Sequence, residues 1–285
     1  MQTIMWSCSE VKYYNPNNLD VALEIAAQGN GKIVAGGTDV YPSAKPGVQH
    51  DCYLDVTRIP DLAGVSRNGD SIRFGAATTW TEIANADLPP AFDALKQAAL
   101  SVGSIQIQNA GTIAGNLCNA SPAADGVPPL LALDAKVELT STARGVRVLP
   151  LKEFILGVRK TALEDDELVT AVIIPPLPKG ATSAFEKLGS RRYLVISISM
   201  VATVLTLDPE GRISDVRIAV GSCSPVALRL SQLEQDLIGM HPNEVTVTEQ
   251  HLSALSPLTD VRGSGAYRLD VVATQCERAI RRAAA

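Results

Sequence analysis

The sequence predicts a mixed α+β chain of two domains, and three observations carry that prediction. At 285 residues the chain is longer than one ordinary domain and comfortable for two. Up to Ile174, stretches with helical spacing of apolar residues alternate with short strand-like runs. Then Pro175-Pro176-Leu177-Pro178-Lys179-Gly180 sets three prolines and a glycine within six residues, which no regular element continues. The expected division is therefore residues 1–177 and 178–285.

Taken in order, Asn17 is placed to cap a helix on which Leu19, Ala22, Leu23, Ala26 and Ala27 recur at helical spacing and which ends at Gly29. A short strand then runs into the segment from Ile33 to Val40. Strands are expected at Tyr53 to Val56 and Ser71 to Ala76, and a helix from Phe92 to about Val102. Asn109 to Asp125 is dense in small and polar residues, yet the apolar run Pro128 to Ala135 follows it, so the segment reads as buried and functional. Further strands are expected around Glu138, at Val146 to Leu149 and at Leu168 to Ile174. Beyond the proline break, Ala184 to Leu188 and Ile196 to Leu207 read as strands, and Asp208 to Gly211 as a reversal into a strand from Arg212 to Val220. Helical patterns fill Leu228 to Ile238 and Leu269 to the C-terminus, which makes the second domain a small antiparallel sheet backed by helices.

The segment Ile33-Val34-Ala35-Gly36-Gly37-Thr38-Asp39-Val40 is the strongest candidate for holding a ligand. Adjacent glycines let successive backbone N–H groups turn toward one point with no Cβ in the way, and such a nest suits a phosphate or diphosphate. Two large nucleotide-binding classes drop out, because the chain has no Gly-x-Gly-x-x-Gly opening a helix and no Gly-x-x-x-x-Gly-Lys-Ser/Thr. Composition narrows the field further. Apolar residues at 46% and charged residues at 19% describe a globular chain, and a net charge of −5 gives no reason to expect nucleic acid. The five cysteines, Cys8, Cys52, Cys118, Cys223 and Cys276, form no Cys-x-x-Cys pair, which argues against zinc, iron–sulfur ligation by this chain and a disulfide framework. A reducing cytoplasm is expected. Neither an export signal at Met1 to Trp6 nor a run near the ~18 apolar residues of a membrane span is present.

Two segments together carry a family resemblance. Ala35-Gly36-Gly37-Thr38-Asp39-Val40, paired with Thr112-Ile113-Ala114-Gly115-Asn116-Leu117-Cys118-Asn119 and running on to Asp125, resembles the FAD subunit of the molybdenum hydroxylases, the xanthine dehydrogenase family. Later marks of the likeness are Phe185 to Arg192, Ile196 to Ser199 and Arg217 to Gly221, followed by Pro225 and Arg229, so it spans essentially the whole chain. The resemblance implies an FAD-binding domain of the vanillyl-alcohol-oxidase (PCMH) type, with two α+β subdomains clasping the cofactor. It implies next a small C-terminal domain with a three-stranded antiparallel sheet and helices.

Carried over residue by residue, the likeness assigns the backbone of Ile33, Val34, Ala35, Gly36, Gly37, Thr38, Asp39 and Val40 to the diphosphate, in agreement with the nest argument. Thr112, Ala114, Gly115 and Asn116 would form a second flavin-contacting turn, with Val102 against the cofactor. Asp125 would accept hydrogen bonds from the adenosine ribose. Backbone at Leu168 or Val169 and the Lys187 side chain would reach the isoalloxazine, where a cation stabilises the anionic reduced flavin. Ala114 stands where many relatives have glycine. The chain lacks the cysteine-rich insertion of benzoyl-CoA-type reductases, and its Gly-Gly-Thr-Asp is closer to the xanthine dehydrogenase branch than to the Gly-Gln-Ser of the carbon monoxide dehydrogenase branch.

By the same likeness the chain relays electrons within a heterotrimer, assembled as a dimer of heterotrimers. A large subunit would carry the molybdenum cofactor and hydroxylate the substrate. A small subunit would carry two 2Fe–2S clusters, and FAD on this chain would pass the electrons to NAD+ or another acceptor. Two rivals differ in class: a self-contained flavin oxidase or reductase of the same FAD fold, which needs its own catalytic acid or covalent flavin link, and a non-catalytic scaffold, which would show no flavin absorbance. Other residues have ordinary readings. His50, His241 and His251 lack metal-ligand spacing, and Ser121 has no nucleophile elbow around it. Cys118 is placed to face the flavin, but its default reading is a small buried cysteine. Arg191 and Arg192 fit a solvated pair and a partner interface equally, and Tyr193 is open between flavin, core and interface.

Overall fold

A computed structural model describes residues 11–29, 31–40, 42, 50, 52–192 and 194–285. Met1 to Trp6, Cys8 and Tyr193 lie outside the described residues. In chain order the elements are β1 (Lys12–Tyr14), α1 (Leu19–Ala26), β2 (Gly31–Val34), β3 (Cys52–Asp55), β4 (Val65–Asn68), β5 (Ser71–Gly75), α2 (Trp80–Asn85), α3 (Asp93–Ser101), α4 (Ile105–Ala110), α5 (Ile113–Asn119) and α6 (Val127–Ala132). There follow β6 (Lys136–Ser141), β7 (Gly145–Pro150), α7 (Leu151–Phe154), β8 (Ile155–Gly157), β9 (Lys160–Thr161), β10 (Leu168–Ile174), β11 (Thr182–Leu188), β12 (Ser199–Leu207), β13 (Ile213–Gly221), β14 (Leu228–Arg229), α8 (Ser231–Asp236) and α9 (Gly265–Ala283).

Three sheets and a ribbon organise these elements. The first sheet is parallel, in the order β1-β3-β2, and β2 ends at the glycine segment. The second is antiparallel, in the order β4-β5-β10-β6-β7. Its central β10 is buried along almost its whole length, which is why Leu168 to Ile174 reads as a nearly continuous apolar run instead of an alternating one. The third sheet, β11-β12-β13-β14, is antiparallel, and β8 pairs with β9 in a separate ribbon.

The third sheet ties the chain together because both of its faces are buried. Alternate residues of a strand point to opposite faces, so Phe185, Met200, Ala202, Val204 and Ala219 join the large core formed by the elements before residue 180. Ala184, Val201, Leu205, Ile218 and Val220 face a second core closed by Leu233, Val272, Cys276 and Ile280 of α8 and α9. Polar ties reinforce the join: the Ser183 hydroxyl accepts the Ala94 N–H at 2.8 Å, and Asp134 bridges Arg229 at 2.7 Å and Arg217 at 3.3 Å.

Three local details differ from the sequence expectations. The cap of α1 is Asn18, not Asn17. Its extended backbone lets the side-chain oxygen accept from the N–H groups of Asp20 and Val21, and Gly29 closes the far end in the left-handed region. The stretch expected as helix from Leu228 begins with the two-residue β14, paired to Ala219 and Val220, and helix starts only at Ser231. The third sheet therefore has a short fourth strand beside its three long ones. The segment from Ile196 enters the sheet only at Ser199, since Ser197 is turned away to a buried carboxylate described below.

Candidate cofactor site

The glycine segment and the Thr112 segment meet across one cavity of about 540 Å³. Residues Lys32 to Val40 form one wall, continuing out of β2, and Gly111, Thr112, Gly115, Asn116, Cys118 and Asn119 form the facing wall. Trp80, Val102, Ile107 and Arg159 complete the lining.

The two walls are locked by backbone. A Cβ on Gly36 would stand 1.7 Å from the carbonyl oxygen of Ala110, so the loop and the α4–α5 connection touch main chain to main chain and no larger residue fits. Gly37 has a different reason to be glycine, its φ of +67°, a conformation that L side chains rarely adopt. On the facing wall, Trp80 N–H donates to the Gly111 carbonyl at 3.1 Å, Ile113 N–H to Thr78 at 3.0 Å and Ala114 N–H to Ala76 at 3.2 Å. The Thr112 hydroxyl caps α5 by accepting the Gly115 N–H at 3.1 Å. Sequence reading missed α2, α4 and α5. The signals were present as the capping box Thr79 to Glu82 and the caps Ser104 and Thr112, hidden among small polar residues.

Of the residues singled out from sequence, Ile33 to Val40, Val102, Thr112, Gly115 and Asn116 line the cavity together. Ala114, Leu168 and Val169 do not. They are 6%, 2% and 8% exposed and pack in the large core, where the N-terminal half of α5 lies on β10. Asp125 and Lys187 also lie off the cavity wall and meet each other instead. Lys187 Nζ donates to Asp125 Oδ2 at 2.7 Å and to the Ser101 carbonyl at 3.0 Å, and Ser197 Oγ donates to Asp125 Oδ1 at 2.6 Å. Burial pushes the Asp125 carboxyl up from its ordinary value, against the charge and hydrogen bond of Lys187 and the hydrogen bond of Ser197. The pair stitches β11 to the turn after α5, a contact that sequence spacing gives no means to see.

Cys118 departs from the default reading: it is exposed and lines the cavity. Arg159 is a lining residue that sequence reading missed, and it reaches Asp39 across 120 positions of chain with Nη1 to Oδ2 at 2.7 Å. The histidines serve local structure: His50 packs edge-on against Tyr53, His241 bonds the Gly211 carbonyl, and His251 meets Thr248 and Asp236. Among the described residues no group of His, Cys, Asp and Glu could hold a metal ion, and no helix is long and apolar enough to cross a membrane.

The lining suits a dinucleotide. One wall is a glycine-built loop, the other carries small residues that let a ligand approach the backbone, and an unpartnered acceptor is present: Asn116 Oδ1 is buried without a hydrogen bond. This is the architecture of an FAD-binding domain, and comparison with known proteins agrees. Residues 9–177 match the FAD binding domain in molybdopterin dehydrogenase, and residues 183–283 the CO dehydrogenase flavoprotein C-terminal domain. The chain belongs to this family, as a medium FAD-binding subunit of the xanthine dehydrogenase-like and CO dehydrogenase-like molybdenum hydroxylases. It is 34% identical to a putative xanthine dehydrogenase FAD-binding subunit of Escherichia coli (strain K12) over 96% of both chains. To the nicotine 6-hydroxylase medium subunit of Paenarthrobacter nicotinovorans it is 31% identical, over 95% of this chain and 96% of that one. In a reconstituted CO dehydrogenase from Oligotropha carboxidovorans, one chain superposes with a TM-score of 0.88 at 26% identity, covering 96% of this chain and 98% of that one. The mixed fold implied by the sequence resemblance, an FAD-binding domain followed by a flavoprotein C-terminal domain, is thereby shown, with four strands instead of three in the C-terminal sheet.

Proposed function

We propose that this chain, divided into an FAD-binding domain at 1–177 and a C-terminal domain at 178–285, relays electrons in a cytoplasmic heterotrimer. Its partners are a small subunit with two 2Fe–2S clusters and a large subunit with the molybdenum cofactor, the whole assembled as a dimer of heterotrimers, and its outlet is NAD+ or another acceptor. The observation that carries the reading is the joining of Ile33 to Val40 with Thr112, Gly115, Asn116, Cys118 and Asn119 on one cavity, together with the unpartnered Asn116 Oδ1. FAD, when bound, supplies the ability to exchange electrons singly on one side and as a pair on the other.

In this reading the chain's residues bind and orient. The backbone of Gly36 to Asp39 would hold the diphosphate, and Thr112, Gly115 and Asn116 would take the approach of the remaining cofactor. Ala114, Asp125, Leu168, Val169 and Lys187 would act from beyond the cavity described. Lys187 is held off the cavity wall by Asp125 and Ser101, and any part it takes at the flavin end would be played from that position. Medium subunits named among the relatives support partner subunits of complementary size. Purification of the chain with its neighbours, followed by flavin and metal analysis, tests the proposal. One FAD per chain with molybdenum and iron in a three-subunit complex is expected, whereas a flavin-free chain that takes up no added FAD would refute it.

A further inference from the structure

We propose that Arg159 is the residue that grips the anionic diphosphate of the cofactor in this cavity. The inference rests on the reading of the cavity as an FAD site. Three charged side chains line the cavity among the described residues: Lys32, Asp39 and Arg159. Two negative phosphates arriving beside the Asp39 carboxylate are repelled unless a cation is fixed there. Arg159 is the one held in place by the protein.

The way it is held leaves its binding edge open. Arg159 Nη1 donates to Asp39 Oδ2 at 2.7 Å and to the Asn119 carbonyl at 3.3 Å, so one end of the guanidinium spans from the glycine wall to the end of α5. Among the described residues, its Nε and Nη2 donate no hydrogen bond. Those two nitrogens form one edge of the planar group, the edge that matches two phosphate oxygens in a bidentate fork.

The backbone at this position is also unusual. Arg159 has φ of +58°, in the left-handed region that a side chain disfavours, and its N–H donates at 2.9 Å to the carbonyl of Ala120, which is itself left-handed at φ of +44°. Two non-glycine residues in that region meet at one hydrogen bond, where the β8–β9 ribbon is pinned to the end of α5. Such conformations persist where the surroundings impose them, and they concentrate at ligand clamps. A tie that only joined ribbon to helix would need the N–H contact alone. It would not need a guanidinium turned back to the glycine wall.

The test is equilibrium titration of the flavin-stripped full-length chain with FAD, followed by flavin fluorescence, for wild type, Arg159→Gln, Arg159→Lys and the control Lys32→Gln. Loss of a bidentate charged contact predicts an FAD Kd raised about 10- to 100-fold in Arg159→Gln, and a flatter dependence of log Kd on log salt. Arg159→Lys should keep the salt slope yet bind several-fold more weakly than wild type, because an ammonium restores the charge without the fork. Lys32→Gln should change Kd by less than Arg159→Gln. If Arg159→Gln binds FAD within twofold of wild type, Arg159 is a structural tie and the inference falls while the FAD reading stands. If Arg159→Gln does not fold, Arg159→Lys decides, and wild-type affinity there overturns the fork. If the wild-type chain takes up no FAD, the underlying reading falls with it.

Discussion

Replacing Lys187 by methionine should destabilise the chain strongly, and more at alkaline than at acidic pH. The side chains of Lys187 and Asp125 are only 12% and 10% exposed, and their charged atoms lie 2.7 Å apart. Removing one partner of a buried pair costs about 3–5 kcal/mol, because the other charge stays behind without compensation. Two features reduce the figure. Ser197 still donates to Asp125 Oδ1, and the carboxyl can take up a proton. Its folded pKa already lies above the ordinary value, and loss of Lys187 removes two of the three influences that hold it down. A raised pKa in the folded state means stability is fully present at low pH and is lost as pH rises through the folded value. The expected loss is therefore about 3 kcal/mol at pH 8 and clearly smaller at pH 5. Urea unfolding followed by circular dichroism at both pH values measures it, and Asp125→Asn added to Lys187→Met should recover part of the loss by removing the stranded charge. A loss below about 1 kcal/mol, or one equal at both pH values, would show that the pair does not behave as a buried charge pair.

Further outcomes follow from the same geometry. Gly36→Ala should cost about 3 kcal/mol and abolish FAD uptake, since a Cβ collides with the Ala110 carbonyl, whereas Gly37→Ala should cost only about 1 kcal/mol for its left-handed backbone; thermal melts of the two variants rank them, and a reversed order would contradict the backbone lock. Thr112→Val removes the cap of α5 and should cost about 1 kcal/mol, read in the same melts, with weaker FAD binding in titration. Glu167 is buried, which by itself raises its carboxyl, but the bidentate Arg147 contacts at 2.7 Å and the Glu164 N–H overcome that and hold it below its ordinary value. Its contribution is present above about pH 4.5 and lost as pH falls through the lowered value, so urea midpoints of Glu167→Gln and wild type should converge in acid.

Legibility in the sequence followed the range of the interactions. β10 was readable to the residue because a strand buried on both faces writes itself as a nearly continuous apolar run, interrupted here only by Thr170, and β13 was readable to within a residue at each end. The two cavity walls were readable as a pair because each is a contiguous segment whose small residues serve backbone geometry. α2, α4 and α5 were not, because their six or seven residues form too few turns to show an apolar period, and capping side chains define them instead. The four-stranded count was not readable either, as β14 exists only through its pairing with Ala219 and Val220.

By itself the sequence determined the family, the mixed α+β class and the two glycine-bearing walls, since each depends on residue order within one short stretch. Only the tertiary structure decided why Gly36 is glycine, that Asp125 and Lys187 face each other, and that Arg159 stands over Asp39. Each of those facts is a contact between segments distant along the chain. Strand pairing and core burial set such contacts, and no local spacing encodes them.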